Sequence, residues 1–360
     1  MNAPELPKWC DELEARLKES YQMHYEAMGT VLLVVQDEGR DWFVRVELGK
    51  SLEFSVVASV HEPTDTQLVL ALPVLLGILQ APVYFEPRND FFLRSVRISG
   101  ALHLAHHFAH FLKRPGNYAL QVLDHVRSYP QIPVAALESD RWDLQLLLRC
   151  VVSNQPLVFR NIFHWPIQSW DLDKLAAEMG GLHVRFNPVK CQEESLGDII
   201  KALRSTDDAR VYVSGLVLPA EVLRHFPFPE ELTPLTTGSQ MWLGRSHSGR
   251  ALTKLHADIF TSLLTQVWGS KKVRLYPPQH YRYCYPIEAF SGSQLCMADA
   301  INPDFVRHPE FAKAQGFTVE IEPGDMLVMP PGWLHCVEAD GLTFSISRGQ
   351  PLDLAFQHLT

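Results

Sequence analysis

The chain has 360 residues, of which 46% are hydrophobic and 20% are charged, a composition typical of a folded globular protein and not of a disordered one. Its formal net charge of −9 argues against non-specific nucleic-acid binding, which depends on Lys and Arg neutralising phosphates, so we expect no nucleic-acid partner. A single hydrophobic core rarely grows past ~250–300 residues, and the length therefore favours two domains.

Six cysteines are scattered along the chain without a C-x-x-C pair. A chain of this length does not need disulfides to fold, and its first residues lack the basic and apolar regions of a signal peptide. We therefore interpret the cysteines as reduced thiols in a cytoplasmic protein. The longest apolar run, residues 68–85, is interrupted by Pro73, Gly77 and Pro82, whereas a membrane span needs ~20 consecutive apolar residues, so we expect no span.

The first part of the chain alternates predicted strands and helices. Apolar residues that recur every four positions predict a helix over 5–27, and alternation over 43–48 predicts a strand with one face in water. The segment from Ser128 to Pro133 is typical of a linker, which predicts domains over 1–128 and 129–360. The further predicted elements are strands over 31–35, 42–48, 52–57, 68–72 and 95–100, and helices over 73–79, 102–112 and 118–126.

Two stretches in this first domain, Thr64-Asp-Thr-Gln-Leu-Val-Leu and Leu93-Arg-Ser-Val-Arg-Ile-Ser-Gly-Ala-Leu-His-Leu, carry a resemblance. Over roughly residues 10–115 the chain resembles the sterol-carrier-protein fold. The resemblance implies a small α/β domain with an apolar tunnel for acyl chains or other lipophilic groups. The alternative is an α/β domain that serves as a lid or forms a homodimer.

Four histidines, at 103, 106, 107 and 110, fall on one face of the predicted helix over 102–112. Histidines four residues apart can bind Zn or Ni. No carboxylate or thiol accompanies them, and Leu104, Phe108 and Phe111 supply a packing face. We therefore favour a half-exposed polar stripe over a metal site.

The second domain contains a pattern of metal-ligating residue types. His256 and Asp258 stand two residues apart, so on a strand their side chains point to the same face. Much later, a turn, an apolar strand and a second turn, beginning at Pro323, end at His335. Two imidazoles and one carboxylate on one side of a metal form the facial triad of non-haem Fe(II) oxygenases.

Two predicted strands, 261–267 and 271–276, flank Trp268-Gly-Ser, which we interpret as a hairpin turn. On the second strand Lys271 shares its face with Val273 and Leu275, so it points inward with them. A buried ammonium is costly unless it meets an anion. Lys271 is therefore predicted to hold a carboxylate, the alternative being a lysine at the rim that reaches water.

At this point a second resemblance is clear: residues from about 132 to 350 look like a JmjC (cupin-type) Fe(II)/2-oxoglutarate-dependent oxygenase. It implies a mainly β domain, a double-stranded β-helix or jelly roll, after the α/β domain. The motifs that carry it are Ser153-Asn-Gln-Pro-Leu-Val-Phe-Arg-Asn161, Trp165-Pro, Trp170, Leu243-Gly, Thr253-x-x-His256-x-Asp258, Asn302-Pro-Asp, His308-Pro-Glu-Phe, Gly324-Asp325 and Pro330-Pro-Gly-Trp333.

The resemblance implies roles for individual residues. His256, Asp258 and His335 would bind Fe(II) and form the catalytic centre. Lys271 would pair with the distal carboxylate of 2-oxoglutarate, helped by Thr253. Two further residues, Tyr212 and Ser347, fall about where related hydroxylases contact this co-substrate.

Arg348 is a rival anchor for the co-substrate, because other oxygenase branches use an Arg after the last histidine. If Thr343 and the two serines that alternate with Phe344 and Ile346 line the interior, Arg348 points away from it.

The function implied is hydroxylation of a substrate C–H bond with O₂ and 2-oxoglutarate, releasing succinate and CO₂. A carboxylate at position 258 favours hydroxylation over halogenation, since related halogenases lose it. The adjoining sterol-carrier-like region favours a small substrate, lipophilic or carrier-bound. One alternative is hydroxylation of a protein or peptide side chain; another is a metal-binding cupin without oxygenase activity.

Overall fold

A computed structural model describes residues 6–21, 28–59, 63–80, 96–112, 117–187, 192–205, 211–236, 238–290 and 293–350. The chain divides into two compact units. One comprises residues 1–118 with 188–191 and 287–294, and the other comprises the remainder. The domain boundary at residue 128 stays a prediction.

The first unit is a mixed five-stranded sheet in the order β3-β2-β1-β4-β5 with helices. Strand β1 pairs antiparallel with β2 and parallel with β4. The elements are α1 (Lys8–Ser20), β1 (Gly29–Asp37), β2 (Arg40–Leu48), β3 (Leu52–Val57), β4 (Thr66–Ala71), α2 (Leu72–Leu79), β5 (Val96–Gly100) and α3 (Leu102–Phe111). The predicted strands and helices here agree with these within two residues, except that residues 5 and 22–27 of the first helix lie outside the described residues.

Burial in this unit follows the sequence pattern. On β2, Trp42, Val44, Val46 and Leu48 are buried and alternate with partly exposed residues, which confirms the predicted face in water. Arg16 of α1 is buried, and its guanidinium donates hydrogen bonds to the main-chain carbonyls at the ends of α2 and α3. The likeness to sterol carrier proteins stays a prediction.

The second unit is mostly β-structure. Its principal sheets are one of seven strands, ordered β10-β11-β20-β13-β18-β7-β6, and a second in which β12, β19, β14 and β17 lie side by side in that order. The remaining elements of the chain are α4 (Asn117–Arg127), β6 (Leu137–Ser139), α5 (Leu144–Val152), β7 (Leu157–Phe159), α6 (Leu172–Met179), β8 (His183–Asn187), β9 (Gln192–Ser195), α7 (Leu196–Ser205), β10 (Tyr212–Val217), β11 (Ser239–Ser246), β12 (Ala251–Asp258), β13 (Thr261–Trp268), β14 (Lys271–Tyr276), β15 (Pro286–Phe290), β16 (Ser293–Cys296), β17 (Phe317–Ile321), β18 (Met326–Met329), β19 (Leu334–Glu338) and β20 (Gly341–Gln350).

The two large sheets face one another across a buried apolar cluster. Leu264, Leu327 and Met329 from the seven-stranded sheet pack with Val273 and Leu275 of β14, together with residues of β17 and β19. The opposite face of the seven-stranded sheet packs against a second cluster that includes residues of α5, α6 and α7. This arrangement supports the predicted jelly roll, and it places the inward faces of β12, β14, β19 and β20 in one interior.

The predicted hairpin between β13 and β14 is wrong. Strand β13 pairs with β18 and β20, whereas β14 pairs with β17 and β19 in the other sheet. The turn therefore carries the chain from one sheet to the other. Every residue of β13 is buried, so this strand needs partners on both sides. Gly269 has a φ of +63°, and a Cβ there would lie 2.3 Å from the Leu342 carbonyl oxygen, which fixes a glycine at the crossing.

Several smaller predictions concern the described residues only in part. The five cysteines described, at positions 10, 150, 284, 296 and 336, are buried and free, and Cys191 lies outside the description. Of the histidine row on α3, His103 is exposed and His107 half-buried, while the side chains of His106 and His110 lie outside it. Among the described helices, none is long and apolar enough to cross a membrane.

Asp325 fastens the start of β18 to the end of β7. Its carboxylate is buried and accepts three hydrogen bonds. The donors are the Arg160 guanidinium at 2.7 Å and the main-chain amides of Asn161 at 2.8 Å and Glu322 at 3.1 Å. Asp325→Ala leaves these donors without their acceptor and should lower the free energy of unfolding by about 3 kcal/mol. Glu310→Ala, which breaks an exposed pair with Lys313, should cost about 0–1 kcal/mol. Urea unfolding measures both, and equal losses would contradict the role of Asp325.

Candidate functional site

Neighbouring strands bring the two predicted histidines and the carboxylate together. His256 on β12 lies directly opposite His335 on β19, with ring centroids 4.1 Å apart. The His256 Nε2 lies 3.9 Å from one oxygen of Asp258, and the His335 Nε2 lies 3.8 Å from the other. The three side chains therefore converge on one point and form a group that could hold a metal ion. The two-residue spacing predicts the shared face of His256 and Asp258, and the fold adds His335 to it.

Main-chain carbonyls orient both imidazoles. The His256 Nδ1 lies 2.8 Å from the Lys254 carbonyl oxygen, and the His335 Nδ1 lies 3.0 Å from that of Trp333. A carbonyl oxygen only accepts, so each Nδ1 carries a hydrogen, and each Nε2 faces Asp258. Metal-binding histidines are typically held in this way through their second nitrogen.

Among the described residues, no Lys or Arg compensates the negative charge at this point. Asp258 is mostly buried, and in the described part of the chain no Lys or Arg forms an ion pair with it. Burial raises the pKa of Asp258, while burial and the nearby His256 lower the pKa of His335 to about 3. A buried carboxylate beside a neutral imidazole lacks a counter-charge, and a divalent cation would supply one. The donor set therefore fits the predicted metal.

Lys271 presents the complementary problem on the same sheet. Its side chain is 2% exposed, and the strand alternates as predicted, with Val273 and Leu275 also buried. The ammonium donates hydrogen bonds to the Tyr212 hydroxyl at 3.2 Å and the Ser345 hydroxyl at 2.5 Å. No carboxylate among the described residues pairs with it, and burial lowers its pKa to about 7. The amine is thus inside the barrel and not at its rim.

Tyr212 owes its position to a glycine on the next strand. It pairs with Gly244, where a Cβ would lie 2.4 Å from the Val211 carbonyl oxygen and 2.5 Å from the Tyr212 ring. Burial raises the pKa of Tyr212, so its hydroxyl stays protonated and able to donate. The structure brings Tyr212 beside Lys271, and the resemblance implies that both residues contact the same co-substrate carboxylate.

Ser345 is the contact that the sequence analysis missed. It lies two residues before Ser347 on β20, so both side chains are on the same face. The face that Thr343 shares with the two serines was the signal that could have found it. Ser347 also faces the interior, opposite Leu264, but its hydroxyl accepts a hydrogen bond from the Trp242 indole at 2.7 Å. Ser347 is therefore held by Trp242, whereas Ser345 contacts the lysine.

Two remaining candidate residues are Thr253 and Arg348, and for Arg348 the sequence predicts a direction away from the interior. Thr253 pairs with Val337, which packs in the interior, and its hydroxyl is buried without a hydrogen-bond partner among the described residues. Arg348 points away from the interior, with its guanidinium 4.7 Å from the centre of the Phe228 ring. The free hydroxyl of Thr253 is thus available to a bound molecule, and Arg348 is not.

The lysine and the triad lie on the same inner face, separated by one row of residues. Leu275 lies opposite His335, and Lys271 is four residues earlier on β14. At ~3.4 Å per residue the main-chain positions are about 14 Å apart, and both side chains extend into the interior between them. Thr253 and Val337 lie in the intervening row.

The region that holds all of these residues matches a known family. Residues 144–351 match the profile described as Cupin-like domain. The chain belongs to the cupin-like domain family. The predicted JmjC and cupin resemblance is thereby confirmed for the second unit.

Curated relatives match shorter or longer parts of the chain. HSPB1-associated protein 1 of Bos taurus is 29% identical over 232 residues, which are 54% of this chain and 47% of that protein. The tRNA wybutosine-synthesizing protein 5 of Gallus gallus is 36% identical over 104 residues, 29% of this chain and 30% of the relative. Jumonji C domain-containing protein 5 of Drosophila melanogaster is 32% identical over 117 residues, which are 32% of this chain and 28% of that protein. The matches to the HSPB1-associated proteins span about half the length of those relatives.

The buried amine of Lys271 should make stability depend on pH. Its pKa falls from an ordinary 10.5 to about 7 on folding, so between these values the unfolded chain binds more protons and stability rises with pH. Lys271→Met should therefore raise the free energy of unfolding by about 1–3 kcal/mol at pH 6, and by less at pH 9. Urea unfolding without metal or co-substrate measures this. Lys272→Met, on the exposed face, serves as control, and an equal gain at both pH values would contradict the burial argument.

Proposed function

We propose that this protein is an Fe(II)/2-oxoglutarate-dependent oxygenase that hydroxylates a C–H bond. The observation that carries the proposal is the pairing of two unmet charges on one inner face. Among the described residues, Asp258, between two oriented imidazoles, has no ion pair with Lys or Arg, and Lys271 has none with a carboxylate. A metal ion and a small dicarboxylate would satisfy both, whereas a cupin that only binds metal has no need of Lys271.

Each residue then has a definite task. His256, Asp258 and His335 would hold Fe(II), which supplies the activation of O₂ that couples 2-oxoglutarate decarboxylation to hydroxylation. Lys271 binds the distal carboxylate of the co-substrate by a charge-assisted hydrogen bond. Tyr212 supplies a hydroxyl to the same carboxylate. One oxygen atom of O₂ ends in the alcohol and the other in succinate.

Other side chains orient the co-substrate and exclude water. Ser345 holds the Lys271 ammonium in place, and the free Thr253 hydroxyl donates to the bound carboxylate. Val273, Leu275 and Val337 form an apolar floor between the lysine and the metal. In such surroundings the ion pair with the co-substrate is less screened than in water. Ser347 lies near the co-substrate in this proposal, held in place by the hydrogen bond from the Trp242 indole.

The oxygenase assignment predicts turnover without a known substrate. With Fe(II), 2-oxoglutarate and O₂, the protein should release succinate at the slow rate of uncoupled decarboxylation. His256→Ala and His335→Ala should each abolish succinate release, because the two ligands that remain do not hold the metal. The exposed His164→Ala should retain it. Metal binding without any succinate from the wild-type chain would favour a cupin that is not an oxygenase.

The co-substrate pocket predicts an asymmetry among three cations. Lys271→Ala should raise the KM for 2-oxoglutarate by about 100-fold or more, since losing one partner of a buried charge pair costs ~3–5 kcal/mol. Lys272→Ala and Arg348→Ala should change it by less than about fivefold, because neither side chain enters the interior. Succinate formation against co-substrate concentration measures all three. A larger effect at Arg348 would place the anchor there.

For the substrate we propose a small molecule, lipophilic or carrier-bound. The support is the sterol-carrier resemblance of the first unit, where a tunnel would bind apolar groups at ~25 cal/mol per Å² of buried surface. The second candidate is a protein or peptide side chain, which the name HSPB1-associated protein 1 favours. We keep a cytoplasmic location and a homodimer through the first unit as part of the proposal.

Mass spectrometry distinguishes these substrates. Extracts of cells that produce the wild-type protein should contain a product about 16 Da heavier than its precursor, absent with Asp258→Ala. A modified small molecule supports the first candidate, and a modified peptide supports the second and overturns the first.

A further inference from the structure

The turn between β18 and β19, residues 330–333, contacts both strands that carry the candidate metal ligands. The Gly332 amide donates a hydrogen bond to the Asp258 carbonyl oxygen at 2.8 Å. The Trp333 carbonyl oxygen accepts the hydrogen bond from the His335 Nδ1 at 3.0 Å. The conformation of this turn therefore sets the positions of two of the three ligands.

One residue from elsewhere in the sequence holds this turn at two points. The Asn154 side-chain amide donates a hydrogen bond to the Pro331 carbonyl oxygen at 2.9 Å. The main-chain carbonyl oxygen of Asn154 accepts a hydrogen bond from the Trp333 indole at 2.9 Å. Asn154 is 2% exposed and Trp333 is 1% exposed. Both hydrogen bonds are thus shielded from water, where an unmet donor is costly.

Capping of helix α5 does not account for the Asn154 side chain. The last turn of this helix is capped by Ser153, whose hydroxyl and amide both bond to the Arg149 carbonyl oxygen. Asn154 follows with a φ of +53°, a conformation that Gly adopts at no steric cost. What Asn adds to Gly here is the amide that reaches Pro331.

We propose that Asn154 is a positioning residue for the candidate metal centre, an inference that rests on the proposed function. Its amide fixes Pro331 and its carbonyl fixes Trp333. Residues 330–333 then fix the His335 ring through the Trp333 carbonyl oxygen, and they fix the Asp258 main chain through the Gly332 amide. Asn154 touches neither metal nor substrate; it determines how well two ligands are aimed.

The test uses Co(II) alone as the probe, with the full-length chain. Asn154→Gly keeps the left-handed backbone and its carbonyl but removes the amide donor. It should raise the Co(II) dissociation constant by about tenfold and alter the visible absorption bands of bound Co(II). Asn154→Asp places an acceptor against the Pro331 carbonyl and should have a larger effect. Trp333→Phe keeps a packed ring, removes the indole donor, and should act in the same direction.

A matched control is available in the same unit. Asn161 is also left-handed, with a φ of +49°, but it is exposed and lies outside the turn. Asn161→Gly should leave Co(II) affinity and spectrum unchanged.

Thermal unfolding of the metal-free proteins separates a structural role from a positioning role. If Asn154→Gly and Trp333→Phe only lower the unfolding temperature, while Co(II) affinity and spectrum match the wild type, the positioning inference is overturned alone. If the wild-type chain binds no Co(II), the metal centre of the proposed function is overturned and this inference with it.

Discussion

Two opposite charges, each without a charged Lys, Arg, Asp or Glu partner among the described residues, govern the second unit. The Asp258 carboxylate and the Lys271 ammonium both face the interior between the sheets, where Lys271 is buried and Asp258 is mostly buried. Burying an isolated charge costs several kcal/mol, so the rest of the barrel must be stable enough to hold both. The continuous buried ladders of β13, β18 and β19 provide that stability.

The proposed chemistry is placed on strands and not on loops. His256 and His335 are cross-strand neighbours, and Lys271 lies on the strand that pairs with β19 on its other side. A strand fixes which face a residue occupies, so a set of ligands distributed over three paired strands is held more firmly than one on a loop. The turn held by Asn154 extends this rigidity to the one ligand that directly follows a loop.

Sequence patterns of short range predicted much of this site. The two-residue spacing of His256 and Asp258 and the alternation around Lys271 each depend only on neighbouring residues, and both agree with the structure. The hairpin prediction failed because a glycine turn between two strands has the same local signature whether the strands pair or part. Ser345 was missed because its contact with Lys271 joins residues far apart in sequence, and Asn154 because its φ and its reach to Pro331 leave no mark on the sequence.

The depressed pKa of Lys271 has a consequence for how the pocket is loaded. Near neutral pH the empty pocket holds the amine partly deprotonated, whereas a carboxylate bound beside it favours the ammonium form. Loading the co-substrate would therefore draw a fraction of a proton from the buffer. Proton and co-substrate then behave as cooperative ligands of one pocket, each tightening the binding of the other. An alkaline medium would therefore weaken co-substrate affinity, because Lys271 loses its proton there.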